Sequence, residues 1–262
     1  AVVRSSTGIV QRGADMVLVP AGTFAMGGGP AEPEHDVSLD AFYIDRLEVT
    51  NAQWEVCVLE GACLPPPEAD AFDGPYYGNE AYADYPVVNV NWEAASIYCA
   101  WRGARLPTEA EWEMAARWDP QRDTATIYPW GDDWEPSRLN TCDESCPQRR
   151  SDAAPDDGWP LTAPAGALPQ GASSVGALNM VGNVWEWTAD WYEEDYYADS
   201  PEENPPGPRT GEARVIRGGA WDLGSPEFFD ARLRWPLDPS TEAPSLGLRC
   251  AVSARDVGEI GD

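Results

Sequence analysis

The sequence predicts a single irregular domain of mixed α/β (α+β) type with little regular secondary structure. Three observations carry that expectation. The 262 residues include 24 glycines and 25 prolines, which break regular elements along the whole chain. They also include 13 Trp, 10 Tyr and 5 Phe, core material that a disordered acidic chain lacks. Helix signals are confined to three places, set among short strand-like pieces. A chain of this length buries roughly 70–75% of its unfolded surface, so a substantial core needs no partner.

In chain order, residues 1–13 read as a polar lead-in, 14–255 as the domain and 256–262 as a tail. Met16–Met26 carries two short apolar pieces broken by Pro20-Ala-Gly22, and Asp40–Asp45 is a further strand candidate. Thr50-Asn-Ala-Gln53 is a capping box, with Gly61 placed to end the helix it starts. Asn91 caps Trp92–Trp101, with Gly103 just beyond. Thr108-Glu-Ala-Glu111 is a second capping box, and Trp112, Ala115 and Ala116 mark the buried stripe of the third helix. From 119 to 175 the chain is rich in Pro, Asp, Gly and Ser. A loop that long is usually functional, or held by a metal or a disulfide. Strand-like text returns at Arg214–Arg217 and Leu248–Val252. No internal repeat or low-complexity linker divides the chain.

Seventeen basic residues, all arginine, face 45 acidic ones, for a net charge of -28. Such a polyanion is repelled by nucleic-acid phosphates and by anionic membranes. No apolar stretch reaches the length of a membrane span. No basic start leads into an apolar segment, so a signal peptide is expected to be absent or already removed. The acidity suits solubility in salty surroundings or neutralisation by bound cations.

The six cysteines allow 15 pairings. Cys57 and Cys63 are close in sequence, as are Cys142 and Cys146, which leaves Cys99 and Cys250 to join the middle of the chain to its end. Zinc is the rival, but there is no Cys-x2-Cys knuckle and His35 is the only histidine. Three disulfides are therefore expected, and with them an oxidising, extracytoplasmic setting: periplasm, cell surface or medium.

Several blocks together resemble the formylglycine-generating enzyme (sulfatase-modifying factor) family. They are Met16–Gly27, Glu48-Val-Thr-Asn-Ala-Gln-Trp54, Tyr85–Glu93, Leu106-Pro-Thr-Glu-Ala-Glu-Trp-Glu113, Tyr128-Pro-Trp-Gly131, Asn179-Met-Val-Gly-Asn-Val-Trp-Glu-Trp187, Arg217-Gly-Gly-Ala-Trp221 and Leu246–Ala251. They run in order over nearly the whole chain. The resemblance implies an irregular fold related to C-type lectins, and it pairs Cys99 with Cys250. It also implies two calcium sites, one from Asn179, Gly182, Val184 and Glu186, the other from Asn140, Thr141, Asp157 and Trp159. Carboxylate, amide and backbone oxygens are the hard donors that calcium takes, and the Asp156-Asp157-Gly158 run suits an ion loop on its own chemistry.

Family members that oxidise a sulfatase cysteine to formylglycine bind copper(I) through two cysteines after the Gly-Gly-Ser/Ala-aromatic block. At those positions this chain has Leu223 and, more loosely aligned, Phe228. Neither side chain can hold copper, so no copper and no catalytic residue of that kind are expected. Histidine-held iron, as in ergothioneine-type relatives, cannot be built from His35 alone. The resemblance places Trp221, Asp222, Glu227, Arg232, Arg234 and Trp235 in the loop that shapes the substrate groove, where aromatic faces, arginines and carboxylates suit a peptide, protein or glycan. The sequence therefore points to a secreted or surface binding or structural module, stabilised by calcium and disulfides and lacking the oxidase chemistry. The alternatives are an enzyme with altered metal chemistry in the same groove, and a self-associating surface or filament subunit.

Overall fold

The computed structural model describes residues 2–4, 8–11, 13–29, 33–68, 72, 74–147 and 156–258. The strands of the first part are β1 (Val2–Arg4), β2 (Gly8–Gln11), β3 (Ala14–Val19), β4 (Gly22–Met26), β5 (His35–Leu39) and β6 (Phe42–Asp45). Three helices follow, α1 (Asn51–Leu59), α2 (Trp92–Arg102) and α3 (Glu109–Arg117), then the two-residue strands β7 (Trp118–Asp119) and β8 (Thr124–Ala125). The last part holds β9 (Trp185–Trp191), α4 (Tyr196–Asp199), β10 (Arg214–Arg217), β11 (Trp235–Leu237), β12 (Leu246–Gly247), β13 (Ala251–Ser253) and α5 (Ala254–Gly258).

All three expected helix starts are present, because each is written in local hydrogen bonds. Thr50 Oγ1 accepts from Gln53 N while Gln53 Oε1 accepts from Thr50 N. Thr108 and Glu111 make the same reciprocal pair at α3, and Asn91 Oδ1 accepts from Ala94 N at α2. α2 stops at Gly103, whose φ of 78° is the left-handed conformation that glycine adopts at no side-chain penalty.

One antiparallel sheet has the order β1-β2-β3-β6-β13, so the last strand lies beside one of the first. Within the expected lead-in, Val2–Arg4 and Gly8–Gln11 are strands. Their Val-Val and Ile-Val pieces, residue types that favour strands, add β1 and β2 to the edge of that sheet. A second sheet has the order β11-β10-β9-β12, with β9 and β12 parallel. Trp54, Trp112 and Trp187 are fully buried in the core these elements enclose. The three expected disulfides are all present. Cys99–Cys250 ties α2 to the chain just before β13, Cys57–Cys63 folds the end of α1 onto its turn, and Cys142–Cys146 closes a short loop. Among the described residues, no helix is long and apolar enough to cross a membrane.

Apart from the β7–β8 hairpin, the described part of 119–175 runs in turns and two short 3-10 segments, as its composition predicts. The segment returns to the core where Asn140 meets Gly182. A Cβ on Gly182 would lie 2.6 Å from the Asn140 carbonyl, and φ there is 81°, so glycine is required at that crossing.

Candidate functional site

Two walls of loop face each other where the second calcium set was expected. One is 140–146, the other 156–159. Asp143, closed from solvent, accepts from Ser145 N and Oγ through Oδ1 and from Asp157 N through Oδ2. Asp157 in turn accepts from Trp159 N and, at 3.3 Å, from Thr141 N. One ligand atom each of Asp143, Asp156 and Asp157 lies within 4.8 Å of the others. Burial, together with the neighbouring Asp143 charge, pushes the Asp157 carboxyl up to about 7 against the hydrogen bonds it accepts. Although burial opposes it, the backbone bond from Asp157 and the bonds from Ser145 hold Asp143 below the usual carboxylate range.

Asn140 adds an independent sign. Its Nδ2 donates to Leu161 O and Asn183 Oδ1, but its Oδ1 is buried and accepts nothing among the described residues. A buried oxygen without a donor is the condition a cation relieves. Of the four residues read from the sequence, Asp157 belongs to a cluster that could hold a metal ion, and its partners there are Asp143 and Asp156. Asp143 was missed because its tie to Asp157 spans 14 positions and no spacing rule encodes it.

The first set is arranged differently. Both Glu186 oxygens are gripped by Arg249, through Nε and Nη2 at 2.7 Å each, and Oε2 also accepts from Trp112 Nε1. Asn179 Nδ2 donates to Glu48 Oε2 and to Ala165 O, and Asn183 Nδ2 donates to Glu48 Oε1. Glu48 is wholly buried among these amides, and burial, with Glu186 nearby, pushes it up to about 8. Gly182 and Val184 lie on the turn leading into β9. Among the described residues the Glu186 carboxylate accepts three side-chain hydrogen bonds, two from Arg249 and one from Trp112. Glu186 is thus held in an internal ion pair with Arg249, beside Glu48, an acidic residue that the reading of the sequence did not single out.

The expected groove residues are not gathered into one surface. Trp221 is buried and donates to Pro244 O. Arg234 is buried against Glu109, through Nε and Nη2. Arg232 pairs bidentately with Asp230 and donates to Gly28 O. Glu227 is exposed on a 3-10 turn and Trp235 is 47% exposed on β11. Asp222 is half-buried, and its Oδ1 has no partner among the described residues. Arg232 lines a cleft of about 360 Å³ between the β4–β5 and β7–β8 hairpins, together with Phe24, Trp118 and Ile127.

Comparison with known proteins fits this architecture. The model of the sulfatase-modifying factor enzyme 1-like domain matches residues 4–254. The chain belongs to the sulfatase-modifying factor family. A formylglycine-generating enzyme of Streptomyces coelicolor is 35% identical over 91% of this chain and 89% of its own. An inactive C-alpha-formylglycine-generating enzyme 2 of Bos taurus is 31% identical over 94% and 91%. Among solved structures, PvdO from Pseudomonas aeruginosa superposes with a TM-score of 0.71 at 26% identity, covering 91% of this chain and 94% of that one. The chain's sulfatase-modifying factor relatives thus include both active and inactive proteins, and the side chains must discriminate. At the positions that the resemblance gives to copper-binding cysteines, Leu223 and Phe228 pack against the main hydrophobic core. All six cysteines are in disulfides.

Proposed function

We propose that this member of the sulfatase-modifying factor family is a non-catalytic binding or structural module of an extracytoplasmic compartment, stabilised by disulfides and by calcium. The observation that carries the reading is the fate of the thiols. Leu223 and Phe228 are partly buried apolar side chains packed against the core, and every cysteine is bridged, so no thiol is left to ligate copper(I) or capture a substrate cysteine. Three disulfides support an oxidising location.

We assign one calcium ion to Asn140, Thr141, Asp157 and Trp159 with Asp143 and Asp156, a reading supported by the acidic trio and by the buried Asn140 Oδ1 that accepts nothing among the described residues. When bound, the ion would balance the carboxylate charge and join the two loop walls. The cleft beside Arg232 is the proposed place for a peptide or glycan, with Phe24, Trp118 and Ile127 as apolar contact surface.

The reading is tested by incubating purified protein with a Cys-x-Pro-x-Arg peptide, with and without added copper(I), and following aldehyde by mass spectrometry. No aldehyde is expected, and turnover would overturn the reading. Elemental analysis of protein purified without added metals should give about two calcium ions per chain. A stoichiometric transition metal would instead favour altered metal chemistry.

A further inference from the structure

Cys142 and Cys146 close a five-residue loop, and that loop carries Asp143. One Asp143 oxygen is bound inside the loop, by Ser145, and the other outside it, by Asp157 N. A single carboxylate therefore joins the bridged loop to the second wall. Thr141 N also donates to Asp157 across the walls, and Asn140 Nδ2 donates to Leu161 O just beyond the second one. The loop is anchored on its far side as well, since Cys142 N donates to Leu223 O at 2.7 Å and Thr141 Oγ1 donates to the same carbonyl. A Cβ on the neighbouring Gly224 would lie 3.0 Å from the Cys142 carbonyl, so the loop fits closely against that turn.

Three carboxylates this close repel one another. The bonds that Asp143 accepts from Ser145 and Asp157 offset that repulsion only while the loop keeps its shape. The disulfide fixes that shape, because two residues four apart cannot swing away from each other once their sulfurs are joined. Holding ligands in place before the ion arrives raises affinity by lowering the ordering cost of binding.

We propose that the Cys142–Cys146 bridge is the clamp of the cation site and brings Asp143 into its ligand set as a third carboxylate. The oxidised chain holds the ion, and reduction of this bridge releases it. The inference rests on the calcium reading above and adds its regulation. The redox step is ordinary exchange: a dithiol reductant supplies two electrons and two protons, the S–S bond becomes two thiols, and the reductant becomes a disulfide. By linkage, bound calcium must make the bridge harder to reduce by the same free energy.

The experiment is a calorimetric calcium titration of the intact protein, of C142S/C146S, of D143N and of the control C57S/C63S. Both C142S/C146S and D143N should bind calcium at least about tenfold more weakly, and the control should match the parent. Calcium should also slow alkylation of Cys142 and Cys146 under a dithiol, read by peptide mapping, with no such effect on Cys57 and Cys63. Equal affinity in parent, C142S/C146S and D143N would overturn the proposal while leaving the calcium reading intact. An intact protein that binds no calcium would overturn both. Should C142S/C146S fail to fold, D143N with its bridges in place and the alkylation rates decide.

Discussion

Arg249 holds Glu186 with two parallel hydrogen bonds, and donates as well to the carbonyls of Asp45 and Leu178. Arginine and glutamate are both closed from solvent, and Glu48, also wholly buried, lies close enough to feel both charges. Removing the arginine strands a buried carboxylate, which typically destabilises by about 3–5 kcal/mol. Arg249→Leu should show a loss of that size in urea denaturation, and a loss below about 1 kcal/mol would mean that the pair is not the clasp it resembles. This scale also marks the limit of what the sequence discloses. The Asn179–Trp187 block is recognisable as a motif, yet the partner that holds Glu186 lies 63 positions away. Nothing in the block distinguishes a carboxylate held by arginine from one left open for a metal. Asp156 and Asp157 were legible because their acidic Gly-containing run is local. Asp143 was not, because its role depends on a turn closed by a disulfide and on a contact between segments.

Helix boundaries were the most legible part of the fold, since a cap is a conversation among residues three or four apart. The Thr108 hydroxyl accepts from Glu111 N at 3.1 Å, and Thr108→Ala should destabilise the protein by about 1 kcal/mol by urea denaturation. The same helix carries a less visible feature. Its first residue, Glu109, donates its N–H to Asp190 Oδ2 on β9. Burial, then the charge of Glu109, pushes Asp190 up to about 8, with Glu111 also raising it and Arg234 opposing; Arg105, Arg214 and Tyr196 also sense its charge. An unfolded aspartate titrates near about 3.9. Between those values the folded chain retains a proton that the unfolded chain gives up. The Asp190 contribution to stability is therefore full below about pH 4, falls as pH rises, and levels off above about 8. Asp190→Asn should flatten the stability profile across that window by up to one proton's worth, about 1.4 kcal/mol per pH unit. Urea midpoints measured from pH 4 to 8 for both proteins would check it, and parallel profiles would refute the assignment.

Across the whole molecule, 45 acidic residues face 17 arginines; among the described residues the buried Arg102, Arg117, Arg217, Arg234 and Arg249 pair with internal carboxylates, while the buried Arg214 lies against Trp92 and Trp191. The surface is left with the excess negative charge, which opposes compaction. Two kinds of cation can relieve it, and they act differently. Monovalent salt screens all exposed charges, shrinking the Debye length from about 30 Å at 0.01 M to about 10 Å at 0.1 M, so stability should climb gradually without saturating at one stoichiometry. A calcium ion held between the 140–146 and 156–159 walls stabilises by mass action, about 2.7 kcal/mol at a hundred times its dissociation constant. In protein freed of calcium with EDTA, Tm should rise smoothly with sodium chloride and then jump further on millimolar calcium at constant ionic strength. Asp157→Asn should lose the calcium increment and keep the salt response, since it removes one of many surface charges but a central oxygen of the site. If calcium and an equivalent ionic strength of sodium raise Tm alike, the acidic loops act only as a diffuse field. A calcium increment that persists in Asp157→Asn would place the ion elsewhere on the molecule.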